Sequence, residues 1–305
     1  MQIKRITIIL ITLLVTSSNF IIAQTNDSTS INGIDSLLCF KYGFQEGDTL
    51  FYRVEAHDSI IVNFDEPLTK TRWQRVKFVV DSIKEEKIHM SRTLVDFISE
   101  ESKGDVKNVR RKNHPWVGKT VQIAFDSAGN RFGQSIGDSS KAYNSPGSAF
   151  APYMIFPLGG KCKFLNESWL VNSVDTVAEN GYPFPIIDQT SLFRTVGYLD
   201  TLGHEAKRIR YVKTAQGQMY LVTEQQNIYV HAVINSGGKL TLDKKTDIPL
   251  HFFATLEIKA KVKYPDGTEQ PTKHFTTADY TLDRYLPAKK DNDSNGQQEI
   301  HGKDR

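Results

Sequence analysis

Alternating apolar and polar residues run along most of the chain, and this pattern predicts a mainly β protein. The alternation is densest from Gly47 to Ile98, where short polar turns separate one run from the next. Side chains of a strand point to opposite faces in turn, so a period of two with one polar face predicts an antiparallel sheet that is wet on one side. We therefore predict a large curved antiparallel sheet, arranged as an open barrel or as a sandwich.

The phase of the alternation predicts which side chains share a face. One strand face carries Leu50, Tyr52, Val54 and Ala56, and in a later strand Trp169 and Val171 lie together while Leu170 points the other way. The alternation stops between Gly137 and Gly160, where Ser, Ala, Pro, Gly and aromatic residues are mixed. We predict one or two short helical segments there.

Polar groups between the apolar runs predict the turns. His57-Asp58-Ser59 is predicted to join the two strands of a hairpin, and Asn235-Ser236-Gly237-Gly238 is predicted to join two others. Asp126 to Asn130 is predicted to be a turn in which Gly129 supplies a positive φ. The charged stretch from Ser99 to Asn113 is predicted to be a polar loop.

The first 23 residues have the three parts of a secretory signal peptide. Lys4 and Arg5 precede an apolar run from Ile6 to Val15, and Ala23 is a small residue at which a signal peptidase cuts. The apolar run has about ten residues, whereas a membrane span needs roughly twenty. We predict a cleaved signal, a periplasmic or secreted protein, and no membrane span after cleavage.

Composition divides the rest of the chain into three parts. Residues 24–36 are rich in Ser, Thr, Asn and Asp and are predicted to be a disordered leader. Residues 37–287 are predicted to be a β-rich domain, and two sub-lobes meeting near 137–165 remain an alternative to a single one. Residues 288–305 are polar and are predicted to be a disordered tail.

The charge balance excludes nucleic acid as the expected partner. The formal net charge is +3, and removing Lys4 and Arg5 with the signal leaves +1. Basic clusters such as Lys207-Arg208-Ile209-Arg210 occur, but Asp and Glu are spread along the chain among these clusters. Such mixed charge is typical of solvated strand faces.

The two cysteines leave two interpretations open. In an oxidising compartment Cys39 and Cys162 can pair, and the disulfide would close a loop of over a hundred residues. Cys39 also lies in an apolar run, where a buried free thiol is the alternative.

The chain carries no recognisable catalytic motif, and no cofactor or metal is predicted. His204-Glu205-Ala206-Lys207-Arg208 begins like a zinc-protease helix, but Arg208 stands where the second His must lie, and the flanking residues alternate as in a strand. We predict that the protein is not an enzyme.

Several short motifs resemble a family of uncharacterised exported proteins from Bacteroidota. The resemblance rests on the signal ending at Ala23-Gln24, the opener Phe44 to Val54, the hairpin from Val121 to Gly133, and Phe156-Pro157-Leu158 followed by Asn166 to Trp169. It implies a β-rich envelope protein without family catalytic residues. The chain is also similar, at the level of fold alone, to the curved unclosed sheets of periplasmic lipoprotein carriers.

Two functions of different classes follow. A curved sheet with aromatic residues on its concave face would bind an apolar or amphipathic ligand such as a lipid. Alternatively, the protein is a structural or protein-interaction module of the envelope without a small ligand. A side-chain-filled interior favours the second function, and an open apolar cavity of several hundred Å³ favours the first.

The predicted ligand site centres on one tryptophan and on the mixed segment before it. Its candidate residues are Tyr143, Phe150, Tyr153, Phe156 and Trp169. Further aromatic candidates for the concave face are Phe51, Trp73, Phe78, Phe193 and Tyr229.

Overall fold

The computed structural model describes residues 37–136, 153–176, 186–222 and 227–288. All of these residues belong to one compact unit of the chain. The predicted signal peptide, the leader, and all but the first residue of the tail lie outside the described residues. Of the region from Gly137 to Gly160 that was predicted to hold short helical segments, residues 137–152 also lie outside the described residues.

Fourteen strands make up the described structure. They are β1 (Leu38–Cys39), β2 (Thr49–Val62), β3 (Leu68–Lys84), β4 (Lys87–Lys103), β5 (Val106–Arg111), β6 (Thr120–Asp126), β7 (Arg131–Ile136), β8 (Cys162–Lys163), β9 (Ser168–Thr176), β10 (Ile186–Thr201), β11 (His204–Val222), β12 (Asn227–Asp243), β13 (Pro249–Lys263) and β14 (Glu269–Leu286).

Twelve of these strands form one antiparallel sheet, as predicted. Its order is β7-β6-β4-β3-β2-β14-β13-β12-β11-β10-β9, with β5 paired to β4, and β1 pairs separately with β8. The edge strands β7 and β9 approach each other without pairing, so the sheet curves back toward itself but is not closed.

The predicted short helices are not supported. Within the described ranges no segment is helical, and none therefore forms an apolar helix of membrane-spanning length.

Alternation places every second residue of each long strand on the inner, concave face, and most of these residues are apolar. Leu50, Tyr52, Val54 and Ala56 of β2 are all buried, as the sequence pattern predicts. Neighbouring strands add their own alternate residues in register, for example Val54 beside Tyr280 of β14. The inner faces together form one continuous hydrophobic core.

Both of the polar turns predicted within the apolar runs are wrong. His57-Asp58-Ser59 lies inside β2, which continues without a break to Val62. Asn235-Ser236-Gly237-Gly238 lies inside β12, paired on both sides with β11 and β13. Local turn chemistry is overridden in each case, because contacts from distant strands satisfy these residues in an extended conformation.

Gly238 shows why a turn-like residue is needed in mid-strand. A Cβ atom at this position would lie 3.0 Å from Cε1 of Tyr211 and 2.0 Å from the carbonyl oxygen of Phe253. Glycine therefore lets the large Tyr211 ring and the neighbouring backbone approach β12 closely.

The region from Ser99 to Asn113 is also different from the prediction. It is not a polar loop, because β4 extends to Lys103 and pairs with β5. By contrast, the turn from Asp126 to Asn130 is present, and Gly129 has a φ of +84° there. The two strands it joins, β6 and β7, are both in place.

Two segments outside the large sheet pack against its concave face. We call residues 37–48 and 153–165 the inner segments. The hydroxyl of Tyr42 donates to the carbonyl oxygen of Met154 at 3.0 Å and accepts from the Phe156 amide at 3.1 Å. The turn at Asp126–Asn130 holds both segments, since the carbonyls of Ser127 and Ala128 accept from the Tyr42 and Leu158 amides.

A disulfide joins the inner segments. The sulfur atoms of Cys39 and Cys162 are bonded, and the two residues face each other in the short β1–β8 pairing. The bond links positions 123 residues apart. In the chain-entropy model a loop of that length stabilises the folded protein by about 4–5 kcal/mol.

Candidate functional site

The predicted site residue Trp169 lies on the concave face, within a cluster of aromatic rings. Its ring is stacked between Phe40 and Phe193, with centroids 5.8 and 5.2 Å away. Its indole nitrogen donates to the carbonyl oxygen of Leu158 at 2.9 Å. The side chain is 5% exposed, so the chain's own residues occupy the space that a ligand would need.

Phe156 joins the same cluster from the inner segment at residues 153–165, whose first part was predicted to be helical. Its ring lies 5.1 Å from Tyr211, 5.6 Å from Phe252 and 6.1 Å from Phe193. We call this cluster the aromatic zone; its members are Phe40, Phe156, Trp169, Phe193, Tyr211 and Phe252. Burial raises the pKa of the Tyr211 hydroxyl, as expected for a phenol surrounded by rings.

Tyr153 is not part of the aromatic zone, although it was predicted with it. Its ring faces Arg131 and Arg92, whose guanidinium carbons lie 4.8 and 5.9 Å from the ring centroid. The other two predicted residues, Tyr143 and Phe150, lie outside the described residues. The structure thus brings together two of the five predicted site residues.

The aromatic candidates for the concave face divide equally. Phe78, Trp169 and Phe193 are buried on it. The prediction is wrong for Phe51, Trp73 and Tyr229. These residues alternate with the buried positions of their strands and therefore lie on the outer face. Trp73 is 38% exposed, and Phe51 lies under the guanidinium of Arg284 at 4.2 Å.

Two hollows are lined by described residues. The first lies beside Tyr153 between apolar walls and two arginines, and its volume of about 20 Å³ holds about one water molecule. The second, of about 400 Å³, is on the outer face and is lined by Phe51, Arg75, Val95, Asp283 and Arg284. Neither is the large apolar cavity on the concave face that a lipid carrier needs.

Another part of the concave face buries charged side chains. Arg72 of β3 donates to both carboxylate oxygens of Asp58 in β2, at 2.5 and 3.0 Å. Nε2 of His274 in β14 lies 3.0 Å from the same carboxylate. The side chains of Asp58 and Arg72 are only 3% and 6% exposed, so these charges are buried within the sheet's inner face.

The ion pair determines the protonation of Asp58. Burial alone would raise the pKa of this carboxyl, but the hydrogen bond from His274 and the Arg72 guanidinium lower it well below its usual value. Asp58 is therefore charged at neutral pH. A buried charge of this kind is tolerated only where it is paired and hydrogen-bonded.

A second ion pair borders the first. Glu101 of β4 accepts from Lys70 at 2.7 Å and from Arg111 of β5 at 3.0 Å. Burial would raise the pKa of Glu101, but these two hydrogen bonds lower it below its usual value. We call Asp58, Arg72, His274, Lys70, Glu101 and Arg111 together the ionic zone.

His114 covers part of the ionic zone from the segment between β5 and β6. Its ring lies 4.5 Å from Phe97, and its Nδ1 accepts from the Trp116 amide at 3.2 Å. Burial lowers the pKa of His114, and the positive charges of Lys70 and Arg72 lower it further. This histidine is thus held in its neutral form.

The ionic zone was missed by sequence reasoning. Asp58 was assigned to a turn, and the hydrogen bond between it and His274 spans 216 positions. One signal was available: Arg72 and His274 both fall on the apolar phase of their strands, where an ionisable residue needs a buried partner.

The arrangement offers little for metal binding. Within the described ranges, no three or more His, Cys, Asp or Glu side chains are grouped so that they could hold a metal ion. His204, the start of the zinc-like motif, instead places Nδ1 2.8 Å from Asp243.

Comparison with known proteins gives no family. No family model matches the chain. No curated protein matches it either.

Solved structures match over most of the chain, but weakly. DynF from the dynemicin biosynthesis pathway of Micromonospora chersina is 10% identical, with a TM-score of 0.23, covering 86% of this chain and 92% of its own. An outer membrane channel from Pseudomonas putida F1 is 8% identical, with a TM-score of 0.23, over 83% and 99%. A loop-deletion mutant of OmpT, an outer membrane protein of Vibrio cholerae, is 8% identical, with a TM-score of 0.18, over 79% and 100%. We draw no function from likenesses at these TM-scores.

Proposed function

We propose that this chain is an exported envelope protein that acts through its outer surface, as a structural or interaction module, and holds no small ligand on its concave face. The observation that carries the proposal is the packing of Trp169. This residue is the centre of the predicted ligand site, and it is covered by Phe40, Phe193 and the inner segments. The concave face is therefore used for folding.

The disulfide supports export. Bonds such as Cys39–Cys162 form and persist in oxidising compartments and are rare in reducing ones. This agrees with the signal peptide predicted for residues 1–23, and with the envelope location implied by the resemblance to exported Bacteroidota proteins.

Native mass spectrometry of the chain purified without detergent tests the proposal. We expect the mass of the polypeptide with its disulfide and no non-covalent addition. A co-purifying lipid-sized mass that disappears on solvent extraction would contradict the proposal and support a carrier.

A carrier remains the second candidate because of one observation. Arg92 and Arg131 lie beside Tyr153 between the apolar walls of the small hollow, which suits the head of an anionic amphipathic ligand. If native mass spectrometry finds such a ligand, R92Q/R131Q is the variant that should lose it. The matched variant K259Q/K261Q, which removes two cations from the outer face, should retain it.

A further inference from the structure

A hollow of about 400 Å³ lies on the outer face, and we call it the outer hollow. It is lined by Phe51, Arg75, Val95, Asp283 and Arg284. These residues come from β2, β3, β4 and β14, which are neighbours in the sheet. The pairing of the strands therefore forms this hollow, and its volume is in the range of ligand pockets in proteins.

A β-bulge in β14 turns Arg284 toward the outer hollow. Tyr280 and Leu282 pack on the core, so strict alternation would place Arg284 on the inner face as well. The register between β14 and β2 shifts between Leu282 and Arg284, which leaves Asp283 as an extra residue. As a result Asp283 and Arg284 are both exposed, and Tyr285 returns to the core.

A second bulge, in β4, turns Asp96 toward the same place. Leu94 and Phe97 are buried, whereas Val95 and Asp96 between them are both exposed. The register between β3 and β4 shifts here, and Arg75 stands opposite Asp96. Bulges re-aim side chains and are over-represented next to active sites. The two bulges, on either side of β2 and β3, bring four side chains to one part of the outer face.

Three guanidinium groups surround the carboxylate of Asp283. Nε of Arg53 lies 3.2 Å from one oxygen of this carboxylate, and Nη2 of Arg75 lies 3.8 Å from the other. The guanidinium of Arg284 lies over the ring of Phe51, with its carbon 4.2 Å from the ring centroid. A ring contacts only the face of a guanidinium, so the N–H groups along its edge can donate to an incoming acceptor.

Positive charge exceeds negative charge at the outer hollow. Asp96 stands opposite Arg75, and with Asp283 it makes two carboxylates against the three guanidinium groups. Lys77 adds a further cation on the same face, opposite Phe51. The side chain of Arg75 is 54% exposed, so an incoming group can reach it. This surplus of cations favours an anionic ligand.

We propose that the outer hollow binds an acidic segment of a protein partner. A carboxylate of that segment accepts from Arg75 and Arg284, and an apolar side chain beside it contacts Val95. Charge complementarity carries the assignment to an acidic group, because the fork of a guanidinium matches the two oxygens of a carboxylate. The inference rests on the proposed function, since it names the chemistry of the partner that meets the outer surface.

The exposure of the lining favours a protein over a small molecule. Pockets for small molecules enclose most of the ligand's surface. The outer hollow instead lies open on the face of a sheet, and its side chains include Arg75 at 54% and Val95 at 39% exposed. Arginine and aromatic residues are enriched on surfaces that bind other proteins, where they contribute much of the binding free energy.

Fluorescence anisotropy with a dye-labelled peptide of alternating Glu and Leu tests the binding. We expect the unchanged chain to bind this peptide, and added salt to weaken the complex. R75Q/R284Q should raise the Kd about tenfold, which is about 1.4 kcal/mol. Val95→Asp should also raise the Kd, because a carboxylate fixed in the hollow competes for the same guanidinium groups. Both variants alter exposed residues, and each variant's thermal midpoint verifies that it folds.

The matched control is K259Q/K273Q, which removes the same charge from another part of the outer face, where both lysines contact Glu257. It should bind the peptide like the unchanged chain. A peptide with Gln in place of every Glu should not bind. Equal affinity of R75Q/R284Q and the control would overturn the proposal. Equal binding of the two peptides, or no binding of the Glu peptide, would do so as well.

An acidic polysaccharide is the competing occupant. Binding of polygalacturonate that R75Q/R284Q abolishes, without binding of the Glu peptide, would overturn the proposal and assign the outer hollow to sugar acids. Failure here is distinct from failure of the proposed function, because native mass spectrometry reports a ligand on the concave face whatever binds to the outer one.

Discussion

The aromatic zone and the ionic zone occupy the same concave face, yet they bury opposite kinds of side chain. The aromatic zone excludes water with rings, and the indole nitrogen of Trp169 donates to the backbone carbonyl of Leu158. The ionic zone buries a carboxylate that is hydrogen-bonded to Arg72 and His274 from two other strands.

This difference teaches that the two zones depend on the fold in different ways. Ring packing is non-directional and gains free energy roughly in proportion to the area removed from water. A buried ion pair gains little over an apolar pair of the same size, but it becomes costly when one partner is lost. Replacing a single residue should therefore lower the free energy of unfolding strongly in either zone. Replacing both partners of a pair by other apolar residues should be tolerated only in the ionic zone.

The largest expected effect concerns the disulfide that holds the inner segments over the aromatic zone. C39S/C162S should lower the free energy of unfolding by about 4–5 kcal/mol, since the unfolded chain regains the entropy of an open loop. Urea unfolding measures the change. The unchanged chain under reducing conditions should show the same loss, and an unaltered midpoint in both samples would contradict the prediction.

Trp169→Ala should have the next largest effect. It should lower the free energy of unfolding by about 4 kcal/mol, because it leaves a cavity among packed rings. The matched control is Leu170→Ala in the same strand. If Trp169→Ala instead retained its stability and released a bound molecule in native mass spectrometry, Trp169 would be a ligand contact.

Arg72→Ala should lower the free energy of unfolding by about 3 kcal/mol, which is the lower end of the range for breaking a buried ion pair. His274 still faces Asp58 at 3.0 Å and offsets part of the charge left behind. The double variant D58L/R72M should recover most of the loss. Equal destabilisation of the single and double variants, measured by urea unfolding, would show that the pair stabilises through more than mutual neutralisation.

Acid should weaken the ionic zone through Asp58. The pKa of this carboxyl is lowered in the folded protein, so its contribution to stability is complete above the unfolded pKa near 4 and is lost as the pH falls toward the folded value. Between pH 5 and pH 3 that loss is about 1 kcal/mol.

Asp58→Asn isolates this contribution, because other carboxylates also titrate in this range. The variant is less stable at every pH, but its unfolding free energy should change less between pH 5 and pH 3 than that of the unchanged chain. Identical pH dependence for the two proteins would show that Asp58 does not carry the effect.

The smallest effect is expected outside both zones. Leu170→Ser should change the free energy of unfolding by less than about 0.5 kcal/mol, since its side chain is 61% exposed on the outer face. Thermal unfolding measures this. A loss comparable to that of Trp169→Ala would show that the outer face of β9 is covered by another part of the chain.

Much of the fold was predictable from the sequence, whereas the site was predictable only in part. The alternation correctly predicted a large antiparallel sheet and the shared face of Trp169 and Val171, and the turn-forming residues from Asp126 to Asn130 correctly predicted the turn containing Gly129. It did not predict that Asp58 and Gly238 lie in mid-strand. Both have strong turn propensity, and the contacts that hold them extended come from residues far away in the sequence.

The sequence by itself determined the period of the strands, and therefore which side chains of each strand share a face, because that period is a property of the extended backbone. Only the tertiary structure decided that Arg72 and His274 meet at Asp58, and that the inner segments cover Trp169. Each of these depends on the register between strands, and register is set by the packing of the whole sheet.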